Sequence, residues 1–101
     1  MTYTPPERLQ RIKQGHRGLG FASALLVHDG SSPEDWCVRI ESPAEVDEFR
    51  EHLVQGRSMS FTFFTRAGDL YQGEAAVARV SPPSDETTIV TISGIGPLLG
   101  S

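Results

Sequence analysis

Cysteine is nearly absent from this sequence: Cys37 stands alone among 101 residues. A single cysteine excludes an internal disulfide, whereas secreted domains of this size usually carry several. No apolar run is long enough to cross a membrane as a helix, and the first residues lack the charged-then-apolar order of a secretion signal. Positive charge is not in excess either. Nine Lys and Arg against 13 Asp and Glu leave a formal net charge of −4, which disfavours a broad phosphate-binding face. The expectation is a cytoplasmic protein, or part of a particle assembled in the cytoplasm, with no membrane partner and nucleic acid disfavoured.

What is present fits one globular domain over residues 1–101. The chain is 38% hydrophobic and 22% charged, ordinary values for a packed fold. Its charge is segregated. Residues 7–17 hold four basic side chains (Arg8, Arg11, Lys13 and Arg17) and one acid, while residues 29–51 hold eight acids and two bases. A dipolar surface of this kind suits self-association of complementary patches.

The periodicity of the apolar residues suggests the elements. Residues 1–6 contain two prolines and read as an extended arm. Leu9 and Ile12 stand three apart after Pro5 and Pro6, which predicts a short N-terminal helix over 7–14. Residues 21–28 form a compact apolar run and read as a strand, followed by a turn at 29–33. In 36–41, Trp36, Val38 and Ile40 alternate with Cys37, Arg39 and Glu41, the period of a half-buried strand.

A helix is predicted at about 43–55. Ser42 with Glu45 three residues on makes a capping box, and Pro43 suits the first helical position. Val46, Phe49 and Leu53 form an apolar stripe, and Gly56 is placed to stop the helix in the left-handed conformation. Beyond it, residues 58–65 alternate with Met59, Phe61 and Phe63 on one face. Residues 66–69 read as a hairpin turn, and 70–80 as a long strand with Gly73 marking a bulge. A second turn falls at 81–85 and a β-branched strand at 87–93. The fold class is α+β, mainly antiparallel β: a curled five-stranded sheet, barrel or sandwich-like, with one flanking helix and the short N-terminal helix.

The residue types that carry chemistry are scattered. His16, His28, His52 and Cys37 lie in four different elements without the paired short spacing of zinc ligands. Cys37 lies on the polar face of a strand and lacks the helix N-terminus that would activate a thiol. Glu45, Asp47, Glu48 and Glu51 are accounted for by helix solvation and the helix dipole. Gly94-Ile95-Gly96 has no helix after it and so does not make a dinucleotide loop. The reading is therefore no enzyme, no cofactor and no metal.

Surfaces offer more. Phe64 opposes Phe61 and Phe63 on its strand, and Ile89 opposes Val90 and Ile92, so both point away from a core built on Trp36, Val38, Ile40, Phe61 and Phe63. Outward apolar groups imply a second buried surface. With the basic Arg8, Arg11 and Arg17 they are the candidate interface residues. The expected partner is the protein itself, as a homo-oligomer, or other assembly proteins. The alternative is a small β-barrel module that binds a peptide, a ligand or single-stranded nucleic acid.

The last third adds a resemblance. Gly73-Glu74-Ala75 through Val80, then residues 87–93, then Gly94-Ile95-Gly96-Pro97-Leu98, resembles the C-terminal end of tail-tube and minor structural proteins of long-tailed phages and phage-like particles. The N-terminal forty residues do not share it, and the chain is short for a tube protein. What the resemblance implies is a structural assembly protein, a tail or particle component.

Overall fold

The computed structural model describes residues 6–28, 35–81 and 86–100. The extended arm and the turns expected at 29–33 and 81–85 lie mostly outside the described residues. Within them the order is β1 (Glu7–Gln14), β2 (Arg17–Leu19), β3 (Ser23–His28), β4 (Trp36–Glu41), α1 (Val46–Gln55), β5 (Ser58–Thr65), β6 (Leu70–Val80), β7 (Ile89–Gly94) and β8 (Leu99–Gly100). All pairings are antiparallel. Because β1 pairs with both β3 and β5, six strands close into a barrel in the order β1-β3-β4-β7-β6-β5. Outside that ring, β2 extends β1 as a hairpin and β8 pairs with the first residues of β6.

The expected curled, mainly antiparallel sheet is present, but two details differ. There are six barrel strands rather than five, and residues 7–14 form β1 rather than a helix. The reason is a bulge. Leu9 faces Thr65 and Arg11 faces Phe64, so Gln10 is an extra residue on β1. It lengthens the inward spacing from two to three residues, and Leu9 and Ile12 both enter the core, 3% and 0% exposed. A strand with one bulge imitates the i, i+3 spacing of a helix. The bulge expected at Gly73 is instead between Val77 and Arg79.

The helix begins later than its capping box implies. The Ser42 N–H donates to the Thr88 carbonyl at 2.8 Å, and the Ala44 N–H to the Gly20 carbonyl at 2.8 Å. Before the helix starts, these donors are taken by residues just before β7 and just after β2, and Ser42 sits at φ 50°. Glu45 occupies the N-cap position without a side-chain cap. The C-terminal stop is as expected: Gly56 has φ 66° and its N–H donates to the His52 carbonyl at 2.9 Å. Of the predicted stripe only Phe49 is buried; Val46 is half-buried and Leu53 is 37% exposed.

α1 joins the end of β4 to the start of β5 and packs against β6, with Phe49 as its buried residue. Burying that ring stabilises the fold by about 1.5–3 kcal/mol. The interior is filled by side chains, as expected for six strands. Phe61, Phe63, Ile12, Leu26, Ile40 and Ile92 are its largest fully buried members. Phe61 and Phe63 stack at 5.9 Å, and Trp36 meets Phe63 edge-on at 5.7 Å.

Trp36, the first residue of β4, closes one end of the barrel. Its indole N–H donates to the Gly96 carbonyl at 2.9 Å, holding the 95–98 loop over that end. The ring lies against the backbone of two strands: a Cβ on Gly73 would come within 2.7 Å of Trp36 Cζ2, and one on Gly94 would collide with the indole itself. Gly73 thus makes room for an aromatic ring.

Candidate interaction surface

With the interior filled, contacts with other molecules fall to the outer wall, where strand register determines which side chains stand side by side. Arg8 pairs with Leu25, Leu25 with Arg39, Arg39 with Thr91, and Thr91 with Arg79. One cross-strand row therefore runs Arg8–Leu25–Arg39–Thr91–Arg79 over five strands. Arginines on alternate strands are about 10 Å apart, twice the spacing of neighbouring strands. The three arginines are exposed, and Leu25 and Thr91 between them are half-buried. Arg66 adjoins the row, its N–H donating to the Arg8 carbonyl at 3.0 Å. None of these four has an ion-pair partner among the described residues. The bulge at Ala78 is what brings Arg79 into register with Thr91.

The candidate interface residues fall in different settings. Arg8 and Arg11 are exposed on β1, not on a helix. Phe64 is half-buried and faces outward between Arg11 and Leu70, with the Lys13 ammonium 5.8 Å from its ring centroid, in cation–π range. Ile89 is half-buried at the start of β7, opposite Glu41, and its N–H donates to Ser81 Oγ at 2.8 Å. Arg17 is engaged within the chain: both Glu48 carboxylate oxygens accept from it at 2.8 Å, and Glu45 lies 3.8 Å away. The structure joins Arg8 to Arg39, Arg66 and Arg79, three residues that the sequence did not single out. Only the strand register could have revealed them.

On α1, Asp47, Glu51 and Val54 are spaced four and three residues apart, so they share one face. All three are exposed, Val54 at 88%. Since Glu48 is occupied by Arg17, Asp47 and Glu51 are the helix carboxylates without an ion-pair partner among the described residues.

At the Trp36 end, three titratable groups meet. His28 Nε2 is 3.7 Å from Glu7 Oε2, and the His28 and Tyr71 rings meet edge-on at 6.2 Å. The Tyr71 hydroxyl is raised above its ordinary value of 10.0, first by burial and then by the charge and hydrogen bonding of Glu7. A phenol held neutral by the fold stabilises it fully below about pH 10, and that contribution is lost as pH rises further, because the unfolded chain then releases the proton first. Chemical denaturation between pH 9 and 11 should therefore show a steeper stability loss in the wild type than in Tyr71→Phe. Parallel curves would remove Tyr71 from the titration.

A groove of about 520 Å³ lies beside β5 and β6 under the 95–99 segment, with Phe61, Gly73, Ile95, Pro97 and Leu99 in its lining. Ile95 is 54% and Leu99 66% exposed. Among the described residues, no group of three His, Cys, Asp or Glu is arranged to hold a metal ion, and no helix is long and apolar enough to cross a membrane. Compared with known proteins, the chain matches no family model, no curated protein and no solved structure.

Proposed function

We propose that this protein is a structural subunit that assembles with copies of itself, a component of a phage-like tail or similar particle built in the cytoplasm. The observation that carries the reading is apolar surface left in water at two separate places on a barrel whose interior is filled. Leu53 and Val54 are exposed on the helix, and Ile95 and Leu99 beside the groove. Single exposed apolar residues are ordinary, but two separate pairs on a small domain suit contacts repeated from copy to copy. The likeness of residues 73–98 to the C-terminal end of phage tail-tube proteins supports the same reading. Those residues make up most of β6, all of β7 and the loop that Trp36 holds. No catalytic role enters into it.

Mass photometry or light scattering across nanomolar to high micromolar concentration tests it. The expected result is a mass that grows in whole multiples of the 11.0 kDa chain. A constant monomer mass over that range would end the proposal.

The groove beside β5 and β6 favours a second reading, a binding module for an extended peptide. Its volume lies within the range of small ligand sites. Binding of apolar peptides to a strictly monomeric protein, abolished by Ile95→Asp, would favour it.

A further inference from the structure

We infer that the copies join head to tail, the acidic stripe of α1 in one copy seated on the arginine row of the next. The inference rests on the assembly reading above and specifies one contact of the assembly, in which the exposed Val54 takes part. The two faces are distinct. The row spans β1, β3, β4, β7 and β6 on the barrel wall, and the stripe Asp47–Glu51–Val54 lies on the helix packed against β6, whose Arg50 donates to the Ser81 carbonyl.

Each face has what the other needs. The wall offers Arg8, Arg39, Arg66 and Arg79, exposed and without ion-pair partners among the described residues, around the apolar Leu25; one carboxylate, Glu41, shares this face and accepts from Ser23 Oγ. The stripe offers two carboxylates, likewise without ion pairs, beside the 88% exposed Val54. Guanidinium groups bind carboxylates through paired N–H donors, and a row of them sets register as well as attraction. Exposed pairs contribute little singly, but complementary patches steer the encounter and penalise wrong partners.

Neighbouring alternatives are weaker on charge. Stacking on the Trp36 end would bring the acidic helix toward Glu7 and Asp69, which lie near Tyr71, and Glu74 in the groove lining. A nucleic-acid strand would meet a chain of net charge −4. It would also find no exposed aromatic on the row for its bases to stack on. Two different faces joined in this way make a heterologous contact, which closes into a ring or continues as a helical filament.

The test uses charge exchange. One variant carries Arg39→Glu and Arg79→Glu, the other Asp47→Lys and Glu51→Lys. All four positions are exposed, so folding is not expected to suffer; circular dichroism and thermal midpoints check it, with Glu51→Lys alone as the milder helix variant. Each variant by itself should assemble at least about tenfold more weakly than the wild type, since like charges then face each other. An equimolar mixture should assemble again, in one-to-one composition and with an even number of chains in any closed ring, because both contacts are complementary again.

If the wild type assembles and the variants assemble equally well, or the mixture fails to restore assembly, the inference is wrong and the assembly reading stands. If the wild type remains monomeric at high micromolar concentration, both fail. A monomeric wild type that binds an oligonucleotide, with binding lost on reversing Arg39 and Arg79, would replace both with the nucleic-acid reading.

Discussion

Truncating Trp36 to alanine is expected to destabilise the protein by about 3–5 kcal/mol. The indole is 3% exposed, packs edge-on against Phe63 and fills the space above two glycines. A cavity at this position has little prospect of collapsing, because the barrel strands around it are tied into one closed ladder. A domain of about 100 residues has roughly 5–15 kcal/mol in total, and each kcal/mol shifts the thermal midpoint by about 4–8 °C. The variant's thermal midpoint should therefore fall by about 12–40 °C. Urea unfolding followed by circular dichroism measures it, since the chain's only tryptophan is lost. Trp36→Phe should fall between the two, keeping part of the packing but not the hydrogen bond to Gly96. A loss below about 1 kcal/mol for the alanine variant would show that the ring is not part of the core.

The second large effect is the converse. Gly94→Ala adds one methyl group where the Trp36 ring already sits, against Cε2, Nε1 and Cδ2. Overpacking of this kind costs about 1–3 kcal/mol, and here the obstacle is a rigid ring rather than a flexible chain end. Gly73→Ala should be milder, because its nearest contact would be Trp36 Cζ2 at 2.7 Å. The diagnostic measurement is a double-mutant cycle. In the Trp36→Ala background the cost of Gly94→Ala should shrink by about 0.5–3 kcal/mol, since the methyl group then enters vacant space. Strict additivity would refute the close approach.

These two predictions rest on a relation that local pattern could not show. Trp36 was readable as an inward residue of an alternating strand, and Val38 and Ile40 with it. Gly73 read as a bulge because a strand glycine usually marks either a bulge or a close approach. Choosing between them needs the partner that approaches, and Trp36 stands 37 positions earlier in the chain, two strands away in the barrel. The N-terminal helix failed for a related reason. Leu9 and Ile12 carry a spacing that a helix produces by its turn and a strand produces by one extra residue. Only pairing with β5 distinguishes them, and that pairing joins residues some fifty positions apart. The capping box at Ser42 and Glu45 was sound locally, but Thr88 and Gly20 took the backbone donors first.

The interaction surface divides along the same line. Phe64 was legible as an outward aromatic and Arg8 and Arg11 as basic groups, because strand alternation and charge are properties of neighbours in sequence. The arginine row was not legible. Arg8, Arg39 and Arg79 come from three separate segments and become neighbours only through register. That register depends on the bulge at Ala78, which turns Arg79 to the outer wall beside Thr91.

By itself, then, the sequence determined the inward set of the central strands, the left-handed stop at Gly56, the hairpin at 66–69 and the separation of acidic from basic segments. Each is set by residues within a few positions of one another, where dihedral preference and side-chain period act. The tertiary structure alone decided the sixth barrel strand, the closure of β1 onto β5, the seating of Trp36 over Gly73 and Gly94, and the row of arginines on the wall. Those follow from strand pairing over long separations, in which one inserted residue changes which side chains meet.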